Sequence, residues 1–181
     1  MKKLLKKLTV VATLAGMMVC MTACGKKDVV KDDLYAYLTQ MTEVQEVQKS
    51  AITEYNTCVA NPEADSQQLQ TALNDSIIPK YESYITQLSG VVPETEEVQN
   101  LHASCVDAAN KQLEALKKVS EAITACDTDM LADADALISE AELLFDSYET
   151  QVETLASEHE ITLMNLGNDA TESVSEEPVA E

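Results

Sequence analysis

A chain of 181 residues, 45% apolar and 24% charged, has the composition of one globular domain and no room for a large multidomain enzyme. Acids outnumber bases 32 to 12, the formal net charge is −20 and every basic residue is lysine; with no arginine to grip phosphate, nucleic acid is not expected as a partner. Four glycines and four prolines are too few to punctuate a sandwich, a barrel or a doubly wound sheet, so the expected fold is all-α.

In chain order, Met1 to Lys7 reads MKKLLKK and is followed by an uncharged run from Leu8 to Cys24, LTVVATLAGMMVCMTAC. A positive start followed by an apolar stretch is the layout of an export signal. Lys26 and Lys27 end the run short of the ~20 apolar residues a membrane-spanning helix needs, so a retained span is the weaker reading.

The run closes on Met21-Thr22-Ala23-Cys24-Gly25, which resembles the lipobox of bacterial lipoproteins, with Met21 where leucine is commonest. Cys20 fits the pattern poorly because Met18 and Val19 before it are large. The resemblance implies diacylglyceryl transfer to the Cys24 sulfur, cleavage after Ala23 and a lipid-anchored protein outside the cytoplasm. Two acyl chains, such as palmitate, contribute ~0.8 kcal/mol per buried methylene, enough for stable anchoring where one chain is marginal. Loss of residues 1–23 removes four lysines and no acid, leaving 158 residues with eight lysines against 32 acids, a formal charge of −24. Lys26, Lys27 and Lys31 are the exception to this acidity, either against lipid headgroups or on a solvated leash.

Residues 24–28 read as anchor and linker, and 29–166 as a helical body. A first helix is predicted from about Val29 to Val59, on the recurrence of Val30, Leu34, Tyr37, Leu38, Met41, Val44, Val47, Ala51, Ile52, Tyr55 and Cys58. Asn61-Pro62 breaks it, and Asp65 or Ser66 caps a second helix reaching Leu88, with a kink or restart expected near Ile78 because Pro79 lacks an amide donor. Ser89-Gly90 stops it. A third helix, from about Glu94 to Ala125, carries Val98, Leu101, His102, Cys105, Ala109, Leu113, Leu116, Val119, Ile123 and Cys126. Asp127-Thr128-Asp129 then reads as a tight turn into a fourth helix, which carries Leu131, Ala134, Leu137, Ile138, Ala141, Leu144, Phe145, Tyr148, Val152, Leu155 and, at its end, His159, and finishes near Asn165 or Gly167. Short connections between long helices lead to an antiparallel up-down four-helix bundle. The segment 167–181, acidic and almost without large apolar side chains, is expected to be a disordered tail.

Groups that could carry chemistry are few. Cys58 and Cys126 fall at the same end of such a bundle and form the one conceivable disulfide pair, but small buried thiols are the expectation for Cys58, Cys105 and Cys126. His102 and His159 fall at the opposite end, where Glu158 or Glu160 would complete a zinc site only with ligand spacing the sequence lacks, so no metal is expected. Asp127, Asp129, Asp133, Asp135, Glu140, Glu142 and Asp146 crowd the fourth helix without the glycine-turn loop of a calcium site, and read as a solvated face. Tyr35, Tyr37, Tyr55, Tyr81, Tyr84 and Tyr148 read as core or core-edge residues whose hydroxyls reach solvent. No nucleophile motif or phosphate-cradling loop occurs, so neither enzyme activity nor a cofactor is expected.

The stretches Ile77-Ile78-Pro79-Lys80-Tyr81 and Pro93-Glu94-Thr95-Glu96-Glu97-Val98 with Leu101-His102 look like those of uncharacterised short helical lipoproteins of Gram-positive bacteria, over residues 65–162. That resemblance implies helical architecture and a surface location. The expected role is a protein-binding accessory or scaffold in the cell envelope, held to the membrane by its lipid, with an unidentified envelope protein as partner; the alternative is a small-ligand or metal-binding surface lipoprotein.

Overall fold

The computed structural model describes residues 18–20, 28–61 and 65–164. Cys24, Lys26, Lys27 and the segment 167–181 lie outside the described residues. Within them the chain is mostly helical: α1 Val29–Ala60, α2 Ser66–Ala72, a π-helical turn Leu73–Ile77, α3 Ile78–Leu88, α4 Glu96–Ala125 and α5 Thr128–Glu158. One feature falls outside the all-helical expectation. Strand β1, Met18–Cys20, pairs antiparallel with β2, Thr162–Met164, with Val19 opposite Leu163.

Local chemistry explains the boundaries. Asp28 caps α1, its Oδ1 accepting the Lys31 amide at 3.1 Å, and α1 ends where Asn61 turns extended, as a residue before proline must. Asp65 and Gln68 form a reciprocal capping box at the start of α2, at 2.8 and 3.1 Å. The second helix is a single run through α2, the π turn and α3, with Pro79 in the first turn of α3. Pro79 has no N–H and its ring crowds the carbonyl four residues back, and the chain answers with one wide turn in which the Ile78 amide reaches the Leu73 carbonyl.

Two expected boundaries move. The third predicted helix begins at Glu96 rather than Glu94, because the backbones of Glu94 and Thr95 are drawn to Asp33. The fourth ends at Glu158 rather than near Asn165 or Gly167. There Glu160 adopts φ 53°, Ile161 N–H reaches the Ala156 carbonyl at 2.8 Å and Glu160 N–H the Ser157 carbonyl at 3.3 Å, a Schellman stop with the Ile161 side chain folded into the core. The α4–α5 turn uses the same device without glycine: Cys126 sits at φ 53°, and Asp127 N–H bonds the Ala122 carbonyl at 3.0 Å. Asp127 then caps α5 by accepting the amides of Asp129 and Met130.

Side-chain partners fix how the helices lie. Between α1 and α5 they run in opposite order, Asp28 with His159 and Tyr37 with Tyr148. Gln48 with Tyr81, and Glu54 with Ser76 and Lys80, relate α1 and α3 in the same opposed sense. Asp33 with Thr95 and Gln48 with Gln112 run in the same order between α1 and α4, while Ser104 with Gln151 and Lys111 with Glu140 oppose α4 and α5. The core between them holds Leu34, Met41, Ile52, Leu69, Leu73, Ile77, Val98, Leu116, Val119, Phe145 and Val152.

Candidate functional site

The interior contains a polar layer that the apolar stripes leave out. Gln48 of α1 and Gln112 of α4 are fully buried, as are Tyr37 of α1, Tyr81 and Tyr84 of α3 and Tyr148 of α5. Tyr81 Oη donates to Gln112 Oε1 at 2.6 Å, and Gln48 Nε2 donates to the same oxygen at 3.2 Å and to Tyr81 Oη at 3.3 Å. The Tyr37 and Tyr148 hydroxyls pair at 3.0 Å, and the rings of Tyr81 and Tyr84 meet edge to face with centroids 5.2 Å apart. The expectation that the tyrosine hydroxyls reach solvent is therefore corrected: Tyr37, Tyr55, Tyr81, Tyr84 and Tyr148 are at most 1% exposed, and only Tyr35 stands at the edge. Buried away from bulk solvent, the hydroxyls turn to one another and to glutamine amides.

Cys105 lies in this layer, hydrogen-bonded to Tyr84 and Tyr148. Burial pushes its thiol up to about 12, so it is a neutral thiol at physiological pH and a poor nucleophile. The same burial raises the phenols of Tyr37, Tyr81, Tyr84 and Tyr148 well above the usual range. These groups knit helices together, and burial favours their neutral forms.

A second constellation sits where α1 and α4 begin and α5 finishes. His159 Nδ1 lies 2.7 Å from Asp28 Oδ2, and Lys31 Nζ donates to the Glu160 carbonyl at 3.1 Å, so the start of α1 is stapled to the end of α5. Hydrogen bonding to His159, with a smaller contribution from the Lys31 amide, holds the Asp28 carboxyl below its ordinary value. One turn further on, Asp33 Oδ2 accepts the Thr95 amide at 2.7 Å, the Thr95 hydroxyl at 2.6 Å and the Glu94 amide at 3.0 Å. Thr95 makes no side-chain cap of its own, so a carboxylate from another helix caps α4. Burial alone would raise the Asp33 pKa; the Thr95 hydroxyl and the two amides outweigh it and bring the net value down. Sequence periodicity passed over Asp33, Gln48 and Gln112, although each falls on an apolar stripe: Asp33 is four residues before Tyr37, Gln48 seven after Met41 and Gln112 seven after Cys105.

The residues singled out for metal or redox chemistry are placed as follows. Cys58, Cys105 and Cys126 are not joined in disulfides; Cys105 is buried, Cys58 half-buried and Cys126 exposed, which corrects the expectation of a buried Cys126 and removes it from the stripe. His102 packs edge-on against Tyr37 with ring centroids 5.7 Å apart, and burial lowers its pKa, while His159 belongs to Asp28. Among the acids of α5, Asp127 is a cap, Glu140 pairs with Lys111 at 3.5 Å, and Asp129, Asp133 and Asp146 are exposed. Among the described residues no group of three or more histidine, cysteine or acidic side chains gathers in a metal-holding arrangement. Cys24, the predicted lipidation residue, lies outside the described residues, and no described helix is long and apolar enough to cross a membrane.

Surface concavities are shallow. One of about 290 Å³ lies beside Val29, Asp32, Asp33, Val92 and Glu94, and another of about 230 Å³ lies between α4 and α5 beside Asn100, Leu101, Gln151 and Leu155. Both are smaller than a typical drug-sized ligand pocket, whereas a third, open depression of about 450 Å³ beside Asp65, Gln68 and Thr71 of α2 falls within that range.

No curated protein and no solved structure matches the chain. A protein-family model described as "EMYY-motif containing lipoprotein" does match it, over residues 5–165 of 181. No Glu-Met-Tyr-Tyr string occurs in this chain. That span takes in Cys24 and every described helix, and by it the chain belongs to the family of EMYY-motif containing lipoproteins.

Proposed function

We propose that this lipoprotein is held to the outer face of the cytoplasmic membrane by acyl chains on Cys24, and that it serves as a protein-binding accessory or scaffold in the cell envelope. Its helices close into an up-down-up-down four-helix bundle with the wide π turn bending the second helix. The bundle works as a spacer that confines a bound envelope protein near the membrane and so raises its effective concentration there. The reading assigns it no reaction of its own. The observation that carries the scaffold role is the filled interior: five buried tyrosines and three buried glutamines, Gln45, Gln48 and Gln112, occupy the space between the helices, which supports binding through the outer faces.

Intact mass of the protein purified from membranes tests the anchor; the expected value is that of residues 24–181 plus a diacylglyceryl group. Crosslinking of the anchored protein in living cells tests the scaffold role, with one defined envelope protein recovered repeatedly as the expected result and persistently empty captures counting against it. Calorimetry of the body with zinc and calcium separates the alternative, a metal- or small-ligand-binding lipoprotein, for which a stoichiometric micromolar signal is required.

A further inference from the structure

Three large apolar side chains stand well exposed among the described residues: Val29 at 57%, Val92 at 79% and Leu143 at 70%. Val29 and Val92 border one depression with Asp32, Asp33 and Glu94, at the end of the molecule stapled by Asp28 to His159. Leu143 lies halfway along α5, about 22 Å up the helix from Glu158.

The chain arrives at that stapled end. Asp28 caps α1, and Cys24 precedes it by four residues, a length that spans at most about 14 Å when fully extended. A lipid on Cys24 therefore keeps this end of the molecule close to the bilayer whatever path the linker takes. We infer that in the anchored protein the end bearing Val29 and Val92 rests in the headgroup region with both valines against lipid, and that the helices stand up from the surface. The inference rests on the lipidation of Cys24 proposed above.

Charge favours the upright posture over a recumbent one. The body after cleavage carries a formal −24. The 32 residues of α1 extend about 48 Å, several times the ~8 Å screening length at physiological salt. Standing up places most carboxylates beyond the reach of anionic headgroups, whereas lying down brings a whole acidic flank within it. The end face keeps exposed carboxylates at Asp32, Glu94, Glu96, Glu97, Glu158 and Glu160, which limits the depth of contact, but Asp28 and Asp33 are already paired there. Lys31 lies at the same end, and Lys26 and Lys27 precede it in the chain.

The chain contains no tryptophan, so a single introduced one reports a single position. The test uses the full, acylated protein in phosphatidylcholine–phosphatidylglycerol vesicles, with Val92→Trp as probe, Val29→Trp as a second probe and Leu143→Trp as control. Brominated acyl chains in the vesicles are expected to halve, roughly, the emission of the Val92 and Val29 variants and to leave the Leu143 variant unchanged. Equal emission from all three variants, in protein whose mass carries the acyl groups, overturns the inference and leaves the anchor standing. Quenching of the Leu143 variant as strongly as the others shows a flat-lying molecule and overturns it as well. A mass without acyl groups removes the anchor itself, and the inference with it.

Discussion

Asp33 shows how much one side chain can hold. It is 9% exposed and accepts three hydrogen bonds at the start of a helix on which it does not reside. Charge-assisted hydrogen bonds to a partly buried carboxylate contribute about 1.5–3 kcal/mol, so Asp33→Ala is expected to lower unfolding stability by about 2 kcal/mol in chemical denaturation. Its folded pKa is lowered relative to an unfolded aspartate near 3.9. The contribution is therefore complete above the unfolded value and fades as pH falls through the folded one; the difference between wild type and variant should shrink on acidification below about pH 4. A gap that stays constant down to pH 2 would contradict this assignment.

Cys126 presents the opposite case, a residue whose backbone is at odds with its side chain. A left-handed conformation costs a residue with a Cβ roughly 1–2 kcal/mol, and glycine escapes most of that cost. Cys126→Gly is expected to raise the midpoint of thermal unfolding, by about 0.5–1 kcal/mol in stability terms. A thiol reagent should label Cys126 first, Cys58 more slowly and Cys105 only on unfolding; early labelling of Cys105 would contradict its burial.

At the scale of elements, the buried tyrosine and glutamine groups tie α1, α3 and α4 through one oxygen, Gln112 Oε1. Gln112→Ala strips the Tyr81 hydroxyl and the Gln48 amide of their acceptor together, an expected loss of about 2–4 kcal/mol, whereas Tyr81→Phe should cost about 1 kcal/mol. The order of the two is the test. The elements themselves were largely legible in the sequence, because the caps at Asp65 and Asp127 and the proline at 62 act locally. What was not legible came from partners distant in the chain. The two-residue delay in α4 is set by a carboxylate 61 residues earlier, and the early stop of α5 by a left-handed glutamate that no composition rule flags. The π turn lies between these cases. Leu69, Leu73, Ile77 and Tyr81 recur every four residues, a spacing that drifts around an α-helix by about 40° at each step, and one wide turn brings the drift back to the core.

At the scale of the whole molecule, charge is the dominant feature, and it acts against compactness. With a formal −20, self-repulsion works on every exposed face, so moderate salt is expected to raise the thermal midpoint of the soluble body, and a fall with added sodium chloride would require specific ion pairs to outweigh that repulsion. The described ion pairs are mostly surface contacts such as Lys49–Glu46 and Lys117–Glu82, each worth little. That the chain is a bacterial lipoprotein, and that it is mostly helical, could be foreseen from the lipobox-like stretch and the stripes. The candidate sites were foreseen less well, because exposure and hydrogen-bond partners depend on how faces meet.

The staples at the start of α1 have a mechanical side. From its cap to its fifth residue the helix is fastened to the end of α5 through Asp28 and to the start of α4 through Asp33. A pull entering the chain ahead of Val29 is shared at once among three helices running along the line of force, which must slide past one another in shear before any can unravel. A chain fastened this way resists tugging far better than one whose load peels a single helix from its neighbours.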